Sequence, residues 1–283
     1  DCSHEYEKWV IGYFRQEYLA GRTPNPCVRC NATLKFGMLP EMARRAGIDY
    51  DAFATGHYAR VEKDGNGRFR ILRAADLSKD QSYFLCRLSQ AQLARQMFPL
   101  GGMHKPEVRE LARTFGLVTA ERPDSQDFYS GDTNELIGEA DRAGDIVEAE
   151  TGTVLGKHTG YWKYTIGQRK GLGVASTQPL YVTEIDACRN RVVLGRQEAV
   201  RHHCLSADTM NWVSMEAPTQ PLECQLKVRS VQVPVPCQLI PQADGTCTAE
   251  FPQGIYAVAP GQAAVFYDGD VLLGGGYITA AKV

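Results

Sequence analysis

Two cysteines three residues apart, Cys27 and Cys30, are the side chains in this sequence best suited to chemistry. Pro24 and Pro26 fix a stiff turn just before them, and the residues that follow have helical spacing. The start of a helix favours the thiolate, which is the nucleophilic and metal-binding form, and Arg29 adds positive charge. The spacing therefore predicts two reactive thiols that can exchange a disulfide or share a metal. A structural zinc site would need four ligands, and no second pair at this spacing exists.

A second candidate site follows a short buried strand predicted over residues 51–55. The strand ends at Gly56 and His57, and open α/β sheets bind their ligands at strand ends. Gly56 lacks a side chain, which allows a ligand to approach the backbone closely. A single histidine after a strand is more often structural than catalytic, so the sequence leaves both interpretations open for His57.

Two polar segments could contact phosphates. Lys79, Asp80 and Gln81 open a helix predicted over 78–88, and the N–H groups at a helix start favour phosphate. A solvated, capped helix start explains the same residues slightly better.

The second polar segment is the loop 164–171, in which glycines flank Arg169 and Lys170. Basic side chains on such a loop suit a nucleic-acid backbone. A solvated hairpin tip is an equally good explanation of the same residues, so the loop alone does not decide the question.

The elements that must position these residues change in kind along the chain. The first part predicts an α/β fold with one buried strand, a hairpin around 64–67 and several helices. Further on, short strands separated by turn residues predict a closed β-barrel. We therefore expect part of an α/β catalytic domain over 1–127, a small central domain over 128–204 and an all-β barrel over 205–283. The predicted helices are 4–20, from Cys27 or Asn31 to Ala46, 78–88, 91–97 and 105–115.

Composition restricts the class of protein. The chain has 283 residues with a net charge of −2, so any nucleic-acid surface must be a local basic patch. No stretch approaches the roughly 18 apolar residues of a membrane span, so no membrane partner is expected. Nine scattered cysteines do not suit a secreted disulfide framework and favour a cytoplasmic protein with reduced thiols.

Seven segments taken together resemble the tRNA-specific 2-thiouridylases of the MnmA/TrmU family. They occur in the family's order and cover nearly the whole chain, which makes the resemblance specific. The matching segments are 21–31, 54–58, 79–85, 123–127, 164–173, 259–267 and 274–276.

The resemblance implies a fold, a reaction and its partners. The fold is an ATP-pyrophosphatase domain followed by a central domain and a β-barrel. The reaction uses ATP with Mg²⁺ to adenylate the C2 oxygen of the wobble uridine, after which a protein-bound sulfur attacks C2 and AMP leaves. The partners are the tRNA anticodon stem-loop and a sulfur donor, which is either a cysteine desulfurase relay or sulfide.

The resemblance also implies residue roles. Cys30 matches the nucleophilic cysteine, Gly56 an ATP contact and His57 a residue beside the target base. The residues that match tRNA contacts lie in two places: Lys79, Asp80 and Gln81 in the first part, and Arg229, Ser230 and Gln262 in the barrel, where Ser230 differs from the usual residue.

Two departures from the family pattern stand out. The family's Ser-Gly-Gly-x-Asp-Ser phosphate loop does not occur in this sequence, and the chain opens almost directly into a helix. We therefore expect a fragment that does not activate ATP alone. After Ser125–Asp127 the family carries a cysteine that bears the persulfide, whereas this chain has Tyr129, and a phenol cannot carry a persulfide.

Two further interpretations remain open at this point. A diverged tRNA-binding module that no longer thiolates would explain Tyr129 and the missing loop, but the presence of Cys30, Gly56 and His57 argues against it. An iron–sulfur or redox protein built on Cys27 and Cys30 would explain the cysteine pair. A cluster held by two or three thiolates leaves an iron open to external sulfide, which would make a protein persulfide unnecessary.

The basic residues predict a salt-dependent complex with tRNA. We expect Lys79, Arg169, Lys170 and Arg229 to neutralise phosphates and release counterions. The affinity should then fall with salt, with a log–log slope of about −0.9 per contact on duplex RNA. Filter binding across a salt series measures this slope. A flat dependence, or equal affinity for tRNAs with and without the target anticodon loop, would contradict the prediction.

Overall fold

The structure is a computed structural model that describes residues 1–122, 129 and 131–283. The predicted motif at 123–127 therefore lies outside the described residues.

The described residues form helices and strands with the following bounds. The α-helices are Ser3–Tyr6, Gly12–Leu19, Pro26–Cys30, Leu39–Arg45, Gln90–Leu93, Lys105–Thr114 and Thr133–Ile137. The π-helical segments are Glu7–Ile11 and Asn31–Met38, and the 3-10 turns are Ser82–Leu85, Tyr161–Lys163 and Gln197–Val200. The strands are β1 (Phe53–Ala54), β2 (Ala59–Lys63), β3 (Phe69–Arg73), β4 (Gln96–Met97), β5 (Gly144–Glu148), β6 (Val154–His158), β7 (Tyr181–Asp186), β8 (Arg191–Gly195), β9 (Arg201–Trp212), β10 (Leu222–Lys227), β11 (Val235–Pro241), β12 (Cys247–Tyr256), β13 (Ala263–Asp268) and β14 (Val271–Lys282).

The first two predicted helices are confirmed. The first runs without a break from Ser3 to Leu19 and buries Phe14. The second begins at Pro26, where the side chain of Asn25 accepts the N–H of Val28, and continues to Arg45. Proline suits the first turn of a helix because that N–H has no partner within the helix. The sequence pattern did not predict that the middle of this helix, Asn31–Met38, is π-helical.

A closed six-stranded barrel forms the C-terminal part, in the order β13-β10-β11-β12-β9-β14, and β14 pairs back onto β13. The barrel was predicted from its short strands, and β9, which begins at Arg201, is the first of the six. The predicted hairpin forms β2 and β3, and β3 pairs with β14 through Leu72 and Val271. The N-terminal part and the barrel therefore share one continuous hydrogen-bonded sheet.

The helix predicted over 78–88 is wrong. The segment instead forms a single 3-10 turn, Ser82–Leu85, whose buried side chains pack against the outer face of barrel strand β13, at Ala263, Val265 and Tyr267. Tyr83 is fully buried, and its hydroxyl donates to the carbonyl oxygens of Ala263 at 2.9 Å and Val228 at 3.2 Å. These contacts, together with the burial of Cys86 and Leu88, stabilise the turn better than helical hydrogen bonds would. Local propensity gives way to tertiary packing here.

The helix predicted over 91–97 is shorter than expected. It ends at Leu93, and Gln96–Met97 forms β4, which runs parallel to β1. The prediction over 105–115 is confirmed as Lys105–Thr114.

The central part is a four-stranded sheet in the order β6-β5-β8-β7, with Ile146, Val182 and Val192 fully buried. Phe14 of the first helix packs into the same core, and the guanidinium of Arg15 donates to the carbonyl oxygen of Leu136. The first helix therefore contacts the central sheet as well as its own domain.

Two global features of the described part bear on function. All nine cysteines lie in the described residues, and none of them forms a disulfide. Across residues 1–122, 129 and 131–283, no helix has the length and apolar character that crossing a membrane requires.

We predict that Gly275→Ala destabilises the protein. A Cβ at Gly275 would lie 2.8 Å from the carbonyl oxygen of Ala264 and 3.0 Å from the Cβ of Cys86, so the docked turn would have to move. Overpacking of this kind costs about 1–3 kcal/mol of unfolding free energy. Urea denaturation measures the loss, with Gly102→Ala as the control because a Cβ there meets nothing within 4 Å. Equal midpoints for the two variants would contradict the prediction.

Candidate functional site

A cleft of about 330 Å³ opens at the carboxyl end of β1. The lining side chains come from the second helix, from the strand end and from the turn that docks in the barrel. Those described are Lys35, Leu39, Phe53, Thr55, Gly56, His57 and Gln81. The structure thus brings together Gly56, His57 and Gln81, which were predicted from separate motifs.

His57 is packed and yet borders the cleft. Its ring lies between Phe36 and Phe98, with centroid distances of 5.4 and 5.7 Å, and only 9% of the residue is exposed. The Nδ1 atom lies 2.8 Å from the hydroxyl of Thr55. Burial, and secondarily the charge of Lys35, lower the pKa of His57 to about 4. The imidazole is therefore neutral at physiological pH and can exchange hydrogen bonds with a ligand without carrying charge.

Gly56 is exposed at the mouth of this cleft. A Cβ at this position would meet only the Cδ1 atom of Leu100, at the ordinary contact distance of 3.6 Å. The backbone conformation does not require glycine either, since Gly56 is absent from the residues with positive φ. The space beside Gly56 is thus open to a ligand, as the expected ATP contact requires.

Cys27 and Cys30 lie in the first turn and a half of the second helix, both partly buried. The sequence predicted that the helix start and Arg29 stabilise a thiolate, and the structure differs from this prediction. Burial raises the pKa of Cys30, and the groups that oppose this effect are the charge and the backbone N–H of Lys35. Arg29 instead places its guanidinium over the ring of Tyr13, at 5.4 Å.

The side chains around this pair bear on whether it can hold an iron–sulfur cluster. Within the described ranges, no group of three or more His, Cys, Asp or Glu side chains is arranged to hold a metal. Cys27 and Cys30 are thus two thiols without a third described protein ligand.

A second cleft, of about 870 Å³, adjoins the first and shares Gly56 and Gln81 with it. It runs along the seam between the N-terminal part and the barrel. Its polar lining includes Lys79, Lys105 and Ser230. Lys79, Gln81 and Ser230, predicted from two distant segments, therefore share one surface.

Asp80 does not present its side chain to this surface, because only 2% of that side chain is exposed. The carboxylate accepts the N–H groups of Ala74 and Ser82 and the hydroxyl of Ser82. Arg73 and Lys227 approach it at 3.6 and 3.9 Å. The carboxylate therefore has a structural role in shaping the turn, and the expected contact of Asp80 with tRNA stays a prediction.

Lys227 is a residue that the sequence interpretation missed. It is 3% exposed, and its ammonium lies near the rings of Tyr83 and Tyr267 at about 6 Å. Burial lowers the pKa of Lys227, and the neighbouring Asp80 opposes this. The sequence does not show whether a lysine at the end of a barrel strand has its ammonium group buried or exposed to solvent.

Two barrel residues expected to contact tRNA, Gln262 and Arg229, also make contacts within the protein. The amide nitrogen of Gln262 donates to the carbonyl oxygen of Pro24 at 2.8 Å, and its oxygen accepts from Asn25. Arg229 donates to the carbonyl oxygen of Ala257 at 3.2 Å. Gln262 thus holds the turn that precedes Cys27, and Arg229 braces a loop of the barrel.

The remaining predicted residues lie apart from both clefts. Arg169 and Lys170 are exposed on the central loop. The hydroxyl of Tyr129 donates to the carboxylate of Glu135 at 3.1 Å.

Comparison with known families assigns the three parts of the chain to a class. Residues 1–129 match the tRNA methyl transferase HUP domain, residues 134–196 the tRNA methyl transferase PRC-barrel domain, and residues 202–278 the aminomethyltransferase β-barrel domain. This order defines a tRNA-modifying type of protein with a nucleotide-binding domain and two β-domains.

The relatives narrow the class. The chain is 47% identical to tRNA-specific 2-thiouridylase MnmA of Endomicrobium trichonymphae over 98% of this chain and 78% of that protein. It is 48% identical to MnmA of Geobacter metallireducens, over 98% of this chain and 76% of that protein. The chain therefore belongs to the MnmA family, as the sequence motifs predicted.

We predict that His57 makes stability pH-dependent. Its pKa is about 4 in the folded protein and about 6.5 when unfolded, so the unfolded state binds more protons between these values. Its contribution is complete above pH 6.5 and is lost as the pH falls toward 4. At about 1.4 kcal/mol per pKa unit the loss approaches 3 kcal/mol.

Urea denaturation between pH 4 and 7 measures this loss. His57→Gln should flatten the pH dependence, whereas His203→Gln, at a site of the barrel away from the cleft, should not. A His57 imidazole resonance that titrates near pH 6.5 would contradict the prediction.

Proposed function

We propose that this protein is a tRNA-uridine 2-sulfurtransferase that replaces the C2 oxygen of the wobble uridine with sulfur. The observation that carries the proposal is the identity of 46–48% to three MnmA proteins over almost the whole chain. The cleft supports it, because two of the motifs that carry the resemblance, 54–58 and 79–85, lie around one opening. The substrate is the anticodon stem-loop of tRNA, and the reaction takes place in a reducing, cytoplasmic compartment, which suits nine cysteines that form no disulfide.

ATP supplies the adenylyl group that turns the C2 oxygen into a leaving group. Gly56 gives the nucleotide access to the backbone at the mouth of the cleft, where no side chain intervenes. His57, held neutral between two aromatic rings, contacts the uracil through hydrogen bonds. Lys79, Gln81 and Ser230 then face the RNA along the adjoining cleft.

The sulfur step uses Cys30 and Cys27 as a unit. When Cys30 carries a persulfide, its terminal sulfur attacks C2, the C–S bond forms, and the C–O bond breaks as AMP departs. The Cys27 thiolate then attacks the Cys30 sulfur, and the electrons of the broken S–S bond pass to the uracil sulfur. This leaves 2-thiouridine and a Cys27–Cys30 disulfide, which cellular thiols reduce. A cysteine desulfurase relay supplies the persulfide sulfur, or sulfide attacks the Cys27–Cys30 disulfide before it is reduced, which forms the Cys30 persulfide and releases the Cys27 thiolate.

A variant of the same function places an iron–sulfur cluster on Cys27 and Cys30. It is favoured by Tyr129 at the position where the family carries its persulfide cysteine. Visible absorbance of the anaerobically purified protein distinguishes the two routes, since only a cluster absorbs there.

We predict that Cys30→Ser abolishes tRNA thiolation and that Cys27→Ser reduces it strongly. Cys30 forms the bond to the transferred sulfur, and Cys27 completes its release. The measurement is the 2-thiouridine content of tRNA in cells that lack their own enzyme and produce each variant of the full-length protein.

The controls separate reactive thiols from structural ones. Cys188→Ser should retain full thiolation because Cys188 is exposed in the central part. Cys86 is fully buried with a pKa raised to about 12, so Cys86→Ala should act only through stability. Full thiolation by both Cys27→Ser and Cys30→Ser would refute the site.

A further inference from the structure

Lys35 occupies a position that no sequence motif predicted. Of the described residues that line the cleft at Gly56, it is the one with a charged side chain. Within residues 1–122, 129 and 131–283, no carboxylate lies within salt-bridge distance of its ammonium group. A cation that borders a cleft without an acidic partner can accept an anionic ligand.

The π-helical segment brings Lys35 to the same side of the helix as Cys30. In an α-helix each residue turns about 100°, so residues five apart point about 140° away from each other. In a π-helix the hydrogen bonds join residues five apart, which aligns position i with i+5. The segment Asn31–Met38 begins directly after Cys30, and Lys35 is five residues on. The unusual helix thus places an ammonium group beside the thiol.

Electrostatic effects agree with this placement. The charge of Lys35 lowers the pKa of His57 and opposes the effect of burial on the pKa of Cys30. One ammonium group therefore acts on both residues, which come from different parts of the sequence.

We propose that Lys35 is the anion-binding residue of this site and holds the phosphate of the adenylated uridine while Cys30 delivers sulfur. The inference rests on the proposed function for the identity of the substrate, a phosphate ester at uracil C2. The departing group in that reaction is AMP, whose phosphate carries negative charge at the oxygen that leaves. A fixed ammonium group there stabilises the developing charge more than a mobile ion would. Gly56 and the open cleft leave room for the phosphate beside it.

The test compares the rates at which two alkylating reagents, one anionic and one neutral, modify Cys30. Iodoacetate is an anion and iodoacetamide is neutral, and both react with the same thiolate. The ratio of their rates at Cys30 therefore reports the attraction of an anion and cancels any change in the thiolate fraction. Peptide mass spectrometry follows Cys30 separately from the other eight cysteines.

We expect Lys35→Met and Lys35→Gln to lower the iodoacetate-to-iodoacetamide ratio by about threefold, the effect of one nearby charge in a high effective dielectric. Lys35→Arg should preserve the ratio, because it retains the charge. The matched control is Lys282→Met, an exposed lysine at the end of β14. An unchanged ratio in both neutral variants overturns the inference, as does a wild-type Cys30 that neither reagent reaches.

A second measurement separates this inference from the proposed function. The 2-thiouridine content should fall in Lys35→Met and recover in part in Lys35→Arg. If the ratio shifts but the wild-type protein thiolates no tRNA, the proposed function fails and the anion site stands. If the wild-type protein thiolates and the ratio is unchanged, the anion site fails and the function stands.

Discussion

The packing of one short turn, Ser82–Leu85, against the barrel determines the shape of the whole site. Tyr83 is buried without contact to solvent, and its hydroxyl donates to two backbone carbonyl groups of the barrel. A buried hydroxyl without such partners would cost free energy, so the turn is held where the Tyr83 hydroxyl forms these hydrogen bonds. Because the turn begins at Gln81, its docking places Gln81 between the two clefts. The seam between the parts therefore becomes a binding surface.

Buried charge stabilises the same seam. The Asp80 carboxylate receives N–H and hydroxyl donors from its own segment and faces Arg73 and Lys227. Removing a charge from water costs free energy, and this cost is largest for an unpaired ion. The two cations beside the buried carboxylate reduce it. Arg73 belongs to the N-terminal hairpin and Lys227 to the barrel, so the cluster fixes the two parts to each other.

The barrel also reaches the reactive cysteines. Gln262 bonds to Pro24 and Asn25, directly before Cys27, and the side chain of Asn25 caps the helix that carries both thiols. The cysteine pair is therefore oriented by a residue more than two hundred positions away.

The sequence by itself determined the elements with strong local signals. The second helix follows from Pro26, the capping Asn25 and the helical spacing, and the hairpin follows from the turn residues around Gly65. The seven motifs identified the family, which the relatives confirm. The cysteine pair at a helix start and Gly56 with His57 at a strand end were also predicted from local rules, because turns, caps and strand ends depend on neighbours in sequence.

Only the tertiary structure decided how these elements act together. It replaced the helix expected at 78–88 with a docked turn, since burial of Tyr83 outweighs local propensity. It turned Asp80 and Gln262 inward, because the charge of Arg73 and the carbonyl of Pro24 lie there. It placed Lys35 beside Cys30 through a widened helix. Such outcomes depend on partners distant in sequence, and a side chain's type does not reveal which partner it meets.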